Sequence, residues 1–289
     1  MKEIIQQGLQ QIGDHSSITE IRQVSGGDIN QAFYVQTETK EYFMKGNQNV
    51  PPHFFKAEAD GLELIGQTNT ISVPAVQYYN EPEQGAPGIL IMDWVTGENR
   101  ANTPEMLGTR LAQMHRHEVS AYGLNQSTFV GTIPQENEWC ETWTEYYRNY
   151  RLRPQMELAV QKNRLDQNRH QRLDQLITQL EGWIPEKPSA SLLHGDLWGG
   201  NWMAGPDGEP FLIDPSIVYG DPAFELAFTE LFGGFPDPFY KAYQETSPLP
   251  DNYDETKPLY QLFYLLVHLN LFGETYGPSV DRILARYVG

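Results

Sequence analysis

Apolar positions change their period along the chain. Ile4, Ile5, Leu9 and Ile12 recur at helical spacing and stop at Gly13, predicting a leading helix. Short strand-like segments follow at residues 18–24, 32–37 and 41–46. Residues 53–66 carry Phe54, Phe55, Leu62 and Ile65 on one helical face. Ile71-Ser72-Val73-Pro74 reads as the start of an edge strand. Residues 88–92 form a fully apolar run, expected to be a strand buried on both faces.

Beyond residue 100 the pattern turns helical. Residues 103–117 predict a helix with Thr103 as N-cap, Pro104 at its first position, Glu105 in its first turn, and a buried stripe of Leu107, Leu111 and Met114. Between 134 and 183, Trp139, Trp143, Tyr146, Tyr147 and Tyr150 suggest one aromatic-faced helix, and residues 158–180 a second, more hydrated one. Further helices are expected at 223–232, capped by Asp221, and at 257–272 and 279–287. His115 and His117 read as structural, because no Cys or carboxylate stands at zinc spacing. His268 and Asn270 interrupt an apolar helix, either as satisfied core groups or as pocket groups. Arg148, Arg151 and Arg153 form a small basic cluster whose default is a solvated face.

Composition narrows the classes. With 289 residues, 39% hydrophobic and 12% aromatic, the chain can bury a sizeable core. Its formal charge of −18 argues against nucleic acid and anionic membrane as partners. The lone Cys140 permits no internal disulfide, the N-terminus has no apolar signal region, and no apolar run nears the roughly 18 residues of a membrane span. A cytoplasmic protein is the expectation.

The chemistry concentrates in Leu192-Leu193-His194-Gly195-Asp196-Leu197-Trp198-Gly199-Gly200-Asn201 and in Phe211-Leu212-Ile213-Asp214-Pro215. Asp196 and Asn201 have the D-x-x-x-x-N spacing of a phosphoryl-transfer loop, and Asp214 ends a short apolar run where a metal-binding carboxylate belongs. Transfer of a phosphoryl group to a hydroxyl needs a carboxylate to accept the proton, here Asp196. It also needs hard oxygen ligands for Mg²⁺, here Asn201 and Asp214. The Gly-, Pro- and Asp-rich turn between them predicts a hairpin that brings the second carboxylate back beside the first. Upstream, Gly26, Gly27, Asp28 and Asn30 lie between two strands. They form either a loop covering ATP phosphates or a plain turn. Lys45, at the apolar end of its strand, is the expected phosphate clamp. Glu58 is its favoured partner and Glu63 the lesser choice. Main-chain atoms of Asp93 and Val95, after the buried strand, are the expected adenine contacts.

Assembled, these residues resemble the fructosamine kinase (ketosamine kinase) family, a branch of the protein-kinase-like fold that also holds aminoglycoside phosphotransferases and choline kinases. The resemblance rests on His194 to Asn201, Ile213-Asp214-Pro215, Tyr219-Gly220-Asp221-Pro222 and Leu231-Phe232-Gly233-Gly234-Phe235. Gly26 to Asn30, Phe55-Lys56-Ala57-Glu58-Ala59 and His268-Leu269-Asn270-Leu271-Phe272-Gly273 support it. It implies an α+β bilobal fold, with an N-terminal antiparallel-sheet lobe over residues 1–95 and a mainly helical C-terminal lobe over residues 96–289. It also implies an ATP- and Mg²⁺-dependent kinase of the 3-hydroxyl of ketosamines, acting in deglycation. Trp198 is placed either to stack on a sugar face or to anchor its loop, and His268 is a substrate-pocket candidate. Two departures stand out: Glu225 replaces an Asp found in many relatives, and the Gly-rich loop has no cysteine. The competing readings are a kinase of another small hydroxyl compound, such as an aminoglycoside or a choline-like alcohol, and a nucleotide-binding pseudokinase. The second is disfavoured by the presence of Lys45, Asp196, Asn201 and Asp214 together. Neither the sugar (ribulose, erythrulose or fructose), nor the choice between free and protein-bound amine, nor the oligomeric state is set by the sequence.

Overall fold

The period-2 segments of the N-terminal part assemble into one antiparallel sheet. In the computed structural model, which describes residues 2–24, 30–48, 50–82 and 86–289, helix α1 (Lys2–Gln11) precedes strands β1 (Ile18–Val24), β2 (Gln31–Thr37) and β3 (Glu41–Asn47). Helix α2 (Phe54–Gln67) follows, then β4 (Val76–Tyr79) and β5 (Gly88–Asp93). The strand order is β1-β2-β3-β5-β4. Alternation sorts the side chains: Met44, Ile89 and Ile91 pack with Ile5 and Leu9 of α1, while Leu90 and Met92 pack with Phe54, Phe55 and Leu62 of α2. Helices on both faces explain why β5 is apolar up to its last residue, Asp93. Lys45 of β3 pairs with Ala32 and Leu90, on the α2 side of the sheet.

The edge strand lies later than the sequence suggests. Residues 71–74 are not part of it. Ser72 instead bridges to Phe211, and the Leu212 N–H donates to the Ser72 carbonyl at 2.9 Å, fastening this turn to the helical part. Pro74, with no N–H to give a ladder, separates that bridge from β4.

The helical part begins with α3 (Thr103–Met114), three residues shorter than the pattern implied. Thr103 is not its N-cap. Asn102 holds that position, and the buried Thr103 hydroxyl accepts from the Arg100 N–H (3.0 Å) and donates to the Gly208 carbonyl (2.8 Å). Short strands β6 (Glu118–Val119), β7 (Thr128–Val130) and β8 (Ile133–Gln135) follow, of which β7 and β8 form a hairpin. Trp139 lies outside any helix. The aromatic stretch runs as α4 (Trp143–Tyr146), a π-helical segment (Tyr147–Leu152) and α5 (Arg153–Gln161). The expected single helix over 158–180 is two. Asn163, at φ 55°, breaks it, and Asp166 caps α6 (Gln167–Thr178) by accepting from the Arg169 N–H at 2.8 Å.

Strands β9 (Ala190–Leu193), β10 (Trp202–Ala204), β11 (Pro210–Leu212) and β12 (Val218–Gly220) frame the site. Helices α7 (Pro222–Thr229), α8 (Asp237–Thr246), α9 (Tyr253–Phe272) and α10 (Gly277–Val288) complete the fold. Asp221 caps α7 as expected, accepting from the Ala223 N–H, while its other oxygen accepts from the Tyr260 hydroxyl (2.5 Å). Helix α8 went unread in the sequence. It packs on α3, where a Cβ on Gly108 would collide with the Phe239 carbonyl. Rings of Trp143, Tyr147, Phe224, Tyr260 and Tyr264 interlock in the core. Among the described residues no helix is long and apolar enough to cross a membrane.

The three arginines do not form a solvated cluster. Arg148 pairs with Glu181, Arg153 is exposed, and Arg151 is fully buried. Arg151 donates to Asn137 Oδ1 (2.9 Å) and lies over the Tyr146 ring. The π-helical turn, with an extra residue per turn, rotates Arg151 inward.

Candidate active site

Strand β9 delivers residues 194–196 to the bottom of a cleft of about 680 Å³. The backbone there is held from below by one carboxylate. Glu225 of α7, with no exposed surface, accepts from the His194 N–H at 3.0 Å and the Gly195 N–H at 2.7 Å. It also meets His115 Nε2 at 2.8 Å. A carboxylate only accepts, so Nε2 carries a proton, and Nδ1 on the other side of the ring lies 2.7 Å from the Tyr243 hydroxyl. Burial by itself would raise the Glu225 carboxyl. The His115 hydrogen bond and charge, with His194 and the Gly195 N–H, outweigh it and hold the carboxyl below its usual range. His115 is structural, as its lack of metal partners implied.

Gly195 is required by space. Its φ is 82°, and a Cβ there would overlap the Ser216 carbonyl oxygen. Its own carbonyl accepts from the Tyr264 hydroxyl at 3.1 Å. His194 is buried and donates from Nε2 to the Ile213 carbonyl (2.8 Å), joining the two motif segments, and burial lowers its pKa.

Asp196 follows, partly open to the cleft. Its carboxyl is pushed up to about 8, chiefly by burial of the charged form and further by Glu225, against the lowering hydrogen bond from Asn201. Asn201 is buried, and its amide nitrogen donates to the Asp196 carbonyl (2.8 Å) and to Oδ2 (3.2 Å). That orientation leaves its Oδ1 as an available oxygen. The predicted hairpin is present as β10–β11, with Trp202 opposite Leu212. It returns Asp214 to the same cleft, at φ 56°, a left-handed conformation that is uncommon for a residue with a side chain.

From above, Lys45 reaches down. It is buried, donates to Glu58 Oε1 at 2.8 Å, and contacts Asp214 Oδ1. The choice between glutamates is thereby resolved: Glu63 lies on the outer face of α2 and accepts from Gln67. Asn30 also lines the cleft, whereas Gly26, Gly27 and Asp28 lie outside the described residues. Asp93 ends β5. Its N–H is taken by the Ala75 carbonyl, and its carboxylate meets Lys40 and Gln77. Val95, in the connector beyond, has no hydrogen bond on its main-chain groups among the described residues.

The far wall is aromatic. Trp198 is 43% exposed with its ring against Gly200. His268 lies between the rings of Phe232 (4.6 Å), Tyr276 (5.0 Å) and Phe272 (5.5 Å). Its Nδ1 donates to the Tyr264 carbonyl, which leaves Nε2 as an acceptor, and burial lowers its pKa. Asn270, in contrast, is a core group that donates to Gln155 at 2.9 Å. The alternative left open for these two residues thus divides, with one in the pocket and one in the core. Phe232, Phe272 and Tyr276, with Phe129 on the opposite side, complete the walls and were not singled out in the sequence. The Leu231 to Phe235 run was the available signal for Phe232.

An oxygen pair from Asp214 and Asn201 suits a hard divalent cation. Among the described residues no cluster of three or more His, Cys, Asp or Glu forms a self-contained metal cage. Two protein oxygens, with phosphate and water supplying the rest, is how Mg²⁺ is ordinarily held.

The fructosamine kinase family model matches residues 1–289. A probable ketoamine kinase of Lactiplantibacillus plantarum is 40% identical, with 94% of this chain and 95% of that protein covered. A chloroplastic protein-ribulosamine 3-kinase of Arabidopsis thaliana is 34% identical over 96% of this chain and 85% of its own length. A crystal structure of a presumed fructosamine-3-kinase from Haemophilus somnus superposes with a TM-score of 0.86 at 27% identity, covering 97% of this chain and 95% of that one. The aminoglycoside phosphotransferase APH(4)-Ia, in a ternary complex with AMP-PNP and hygromycin B, shares the fold at TM-score 0.67 and 15% identity, with 98% of this chain and 99% of that one covered. The fold is protein-kinase-like, with an antiparallel-sheet lobe and a mostly helical lobe, and the chain belongs to the fructosamine kinase family.

Proposed function

We propose that the protein transfers the γ-phosphoryl group of ATP to the 3-hydroxyl of a ketosamine, with Mg²⁺, leaving ADP and a ketosamine 3-phosphate whose subsequent decomposition frees the amine. The observation that carries this reading is the convergence of Lys45, Glu58, Asp196, Asn201 and Asp214 on one cleft whose outer wall is aromatic. Lys45, oriented by Glu58, clamps phosphate oxygens. Asn30 and the Gly-rich segment close over them. The free main-chain groups of Val95 and the carbonyl of Asp93 take the adenine edge. Asp214 and the Asn201 Oδ1 hold the metal, which supplies charge neutralisation of the phosphates when bound. Asp196 accepts the proton of the attacking hydroxyl. The exposed Trp198 offers a face to the sugar, and His268 Nε2 an acceptor for one of its hydroxyls. A wall without fixed charge suits a neutral or cationic adduct better than an acidic one.

The test is ATP consumption with ribuloselysine, fructoselysine, choline and an aminoglycoside, with and without Mg²⁺, and ³¹P NMR of the product. Phosphate on the ketosamine 3-oxygen is the expected result. Turnover confined to choline or the aminoglycoside would keep the catalytic residues and replace the substrate.

A further inference from the structure

We propose that the β7–β8 hairpin is a clasp that keeps the Lys45–Glu58 pair assembled, with Phe129 as its positioning residue. The inference rests on the phosphoryl-transfer reading of Lys45 and Glu58 given above. The hairpin belongs to the helical lobe in sequence, yet it straddles both lobes. Val130 and Ile133 are buried in the core of the helical lobe. Phe129, on the opposite face of the same strand, packs against the cluster formed by Val50, Phe54, Phe55 and Leu62 of the sheet lobe. Its ring lies 4.9 Å from that of Phe54 and 5.1 Å from that of His53. Phe54 opens helix α2, and Glu58 stands one turn further along it.

The base of the hairpin is fixed to the metal segment. Gln135 and Ser216 are both buried, and the Gln135 amide donates to the Ser216 hydroxyl at 2.6 Å, two residues from Asp214. Ser127 donates to Glu136 at 2.7 Å beside it. Helix α2 also meets the metal segment directly, since a Cβ on Gly61 would stand 2.9 Å from the Pro215 ring. The helix carrying Glu58 is thus held by the hairpin tip on one side and by residues 215–217 on the other. Phe129, Val130 and Gly131 line the same cleft as Lys45, Glu58 and Asp214. Helix α2 stays packed on Leu90 and Met92 of the sheet when the Phe129 ring is lost, but its first turn then has no cover from the helical lobe, and Glu58, one turn on, is held less firmly against the lysine.

The experiment is a double-mutant cycle of Phe129→Ala and Glu58→Ala, with Phe129→Leu as the conservative variant. MgATP affinity is read by calorimetric titration, kcat and acceptor KM by turnover, and folding by circular dichroism at the assay temperature. Phe129→Ala is expected to weaken MgATP binding by about tenfold, within the coupling range of contacting residues. Because Phe129 also lines the cleft, acceptor KM will rise to some extent, but by less than MgATP affinity falls, and Phe129→Leu should recover most of the loss in MgATP affinity. In the Glu58→Ala background the same change should cost little more. An additive second loss would overturn the proposal, as would unchanged MgATP affinity in a folded variant. A loss confined to acceptor KM would do so too and make the hairpin an acceptor wall. If the wild-type protein phosphorylated no ketosamine, the substrate assignment would fall, yet the MgATP cycle would still decide the clasp.

Discussion

At Gly195 a single hydrogen atom decides the geometry of the cleft. The Ser216 carbonyl occupies the space a Cβ would need, so Gly195→Ala must push residues 194–196 away from the 214–216 segment. The expected outcome is a loss of kcat larger than any loss of MgATP affinity, because Lys45 and Glu58 belong to the other lobe. Equal losses in both would argue that the loop moves as a block. Asp196 makes two separable predictions. As the base, Asp196→Asn should lower kcat by about 10²–10⁴ with substrate binding retained. Its raised pKa also sets a sign for stability. A carboxyl that keeps its proton longer in the folded state favours folding below its unfolded pKa and progressively loses that contribution as pH rises toward about 8. Asp196→Asn should therefore raise Tm relative to the wild type more at pH 8.5 than at pH 5. Thermal melts at both pH values check it, and a pH-independent difference would remove burial as the cause. These site residues were legible in the sequence because each belongs to a short motif with fixed spacing. Their surroundings were not: nothing in the chain shows that a Cβ at 195 would meet residue 216, or that the Asp214 backbone is left-handed.

The elements divide in the same way. Strands β1 to β3 and β5, and helices α1, α2, α7 and α9, could be read from their periods, since local pattern and burial agree there. The break at Asn163, the π-helical turn and the β7–β8 hairpin could not, because each is imposed by tertiary contacts of only a few residues. Helix α7 shows the limit well. Its cap and span were readable apart from its last residues, but its reason for existing is Glu225, whose partners come from β9 and, through His115, from α3. The length of the Glu225 side chain is a matter of reach: one carboxylate takes two backbone N–H groups and an imidazole at once. Glu225→Ala leaves all three without a partner in a buried place and should cost about 3 kcal/mol or more of stability. Glu225→Asp should fold, keep MgATP affinity and lose kcat, because a shorter arm cannot hold all three contacts. Denaturant melts and steady-state kinetics on both variants check this. Wild-type kcat in the Glu225→Asp variant would show that the catalytic loop does not depend on the added reach.

For the whole molecule, two features act together: how the lobes are tied, and what field surrounds them. The turn at Ser72 is bound to the helical lobe by the Leu212 N–H and by its own hydroxyl, which donates to Glu209 at 2.8 Å, a carboxylate shared with Arg110. With the hairpin clasp, this tie fixes the lobes at points flanking the cleft and leaves the aromatic wall as its open mouth. Over its whole length the chain carries 38 acidic and 20 basic residues, a formal charge of −18. A net charge of that sign draws cationic partners toward the protein and repels anionic ones, over a range that shrinks to about 8 Å at physiological salt. If the ketosamine is carried on a protein lysine, the carrier's own charge must then affect the encounter. Glycated lysozyme, a basic carrier, should be phosphorylated with a kcat/KM that falls as NaCl rises from low to physiological concentration. A glycated acidic carrier should show the opposite slope, and a small neutral ketosamine almost none. The effect belongs to association, so kcat at saturation should stay level in all three series. Parallel salt slopes for the basic and acidic carriers would mean that the net field does not steer substrate and that recognition is confined to the groups lining the cleft.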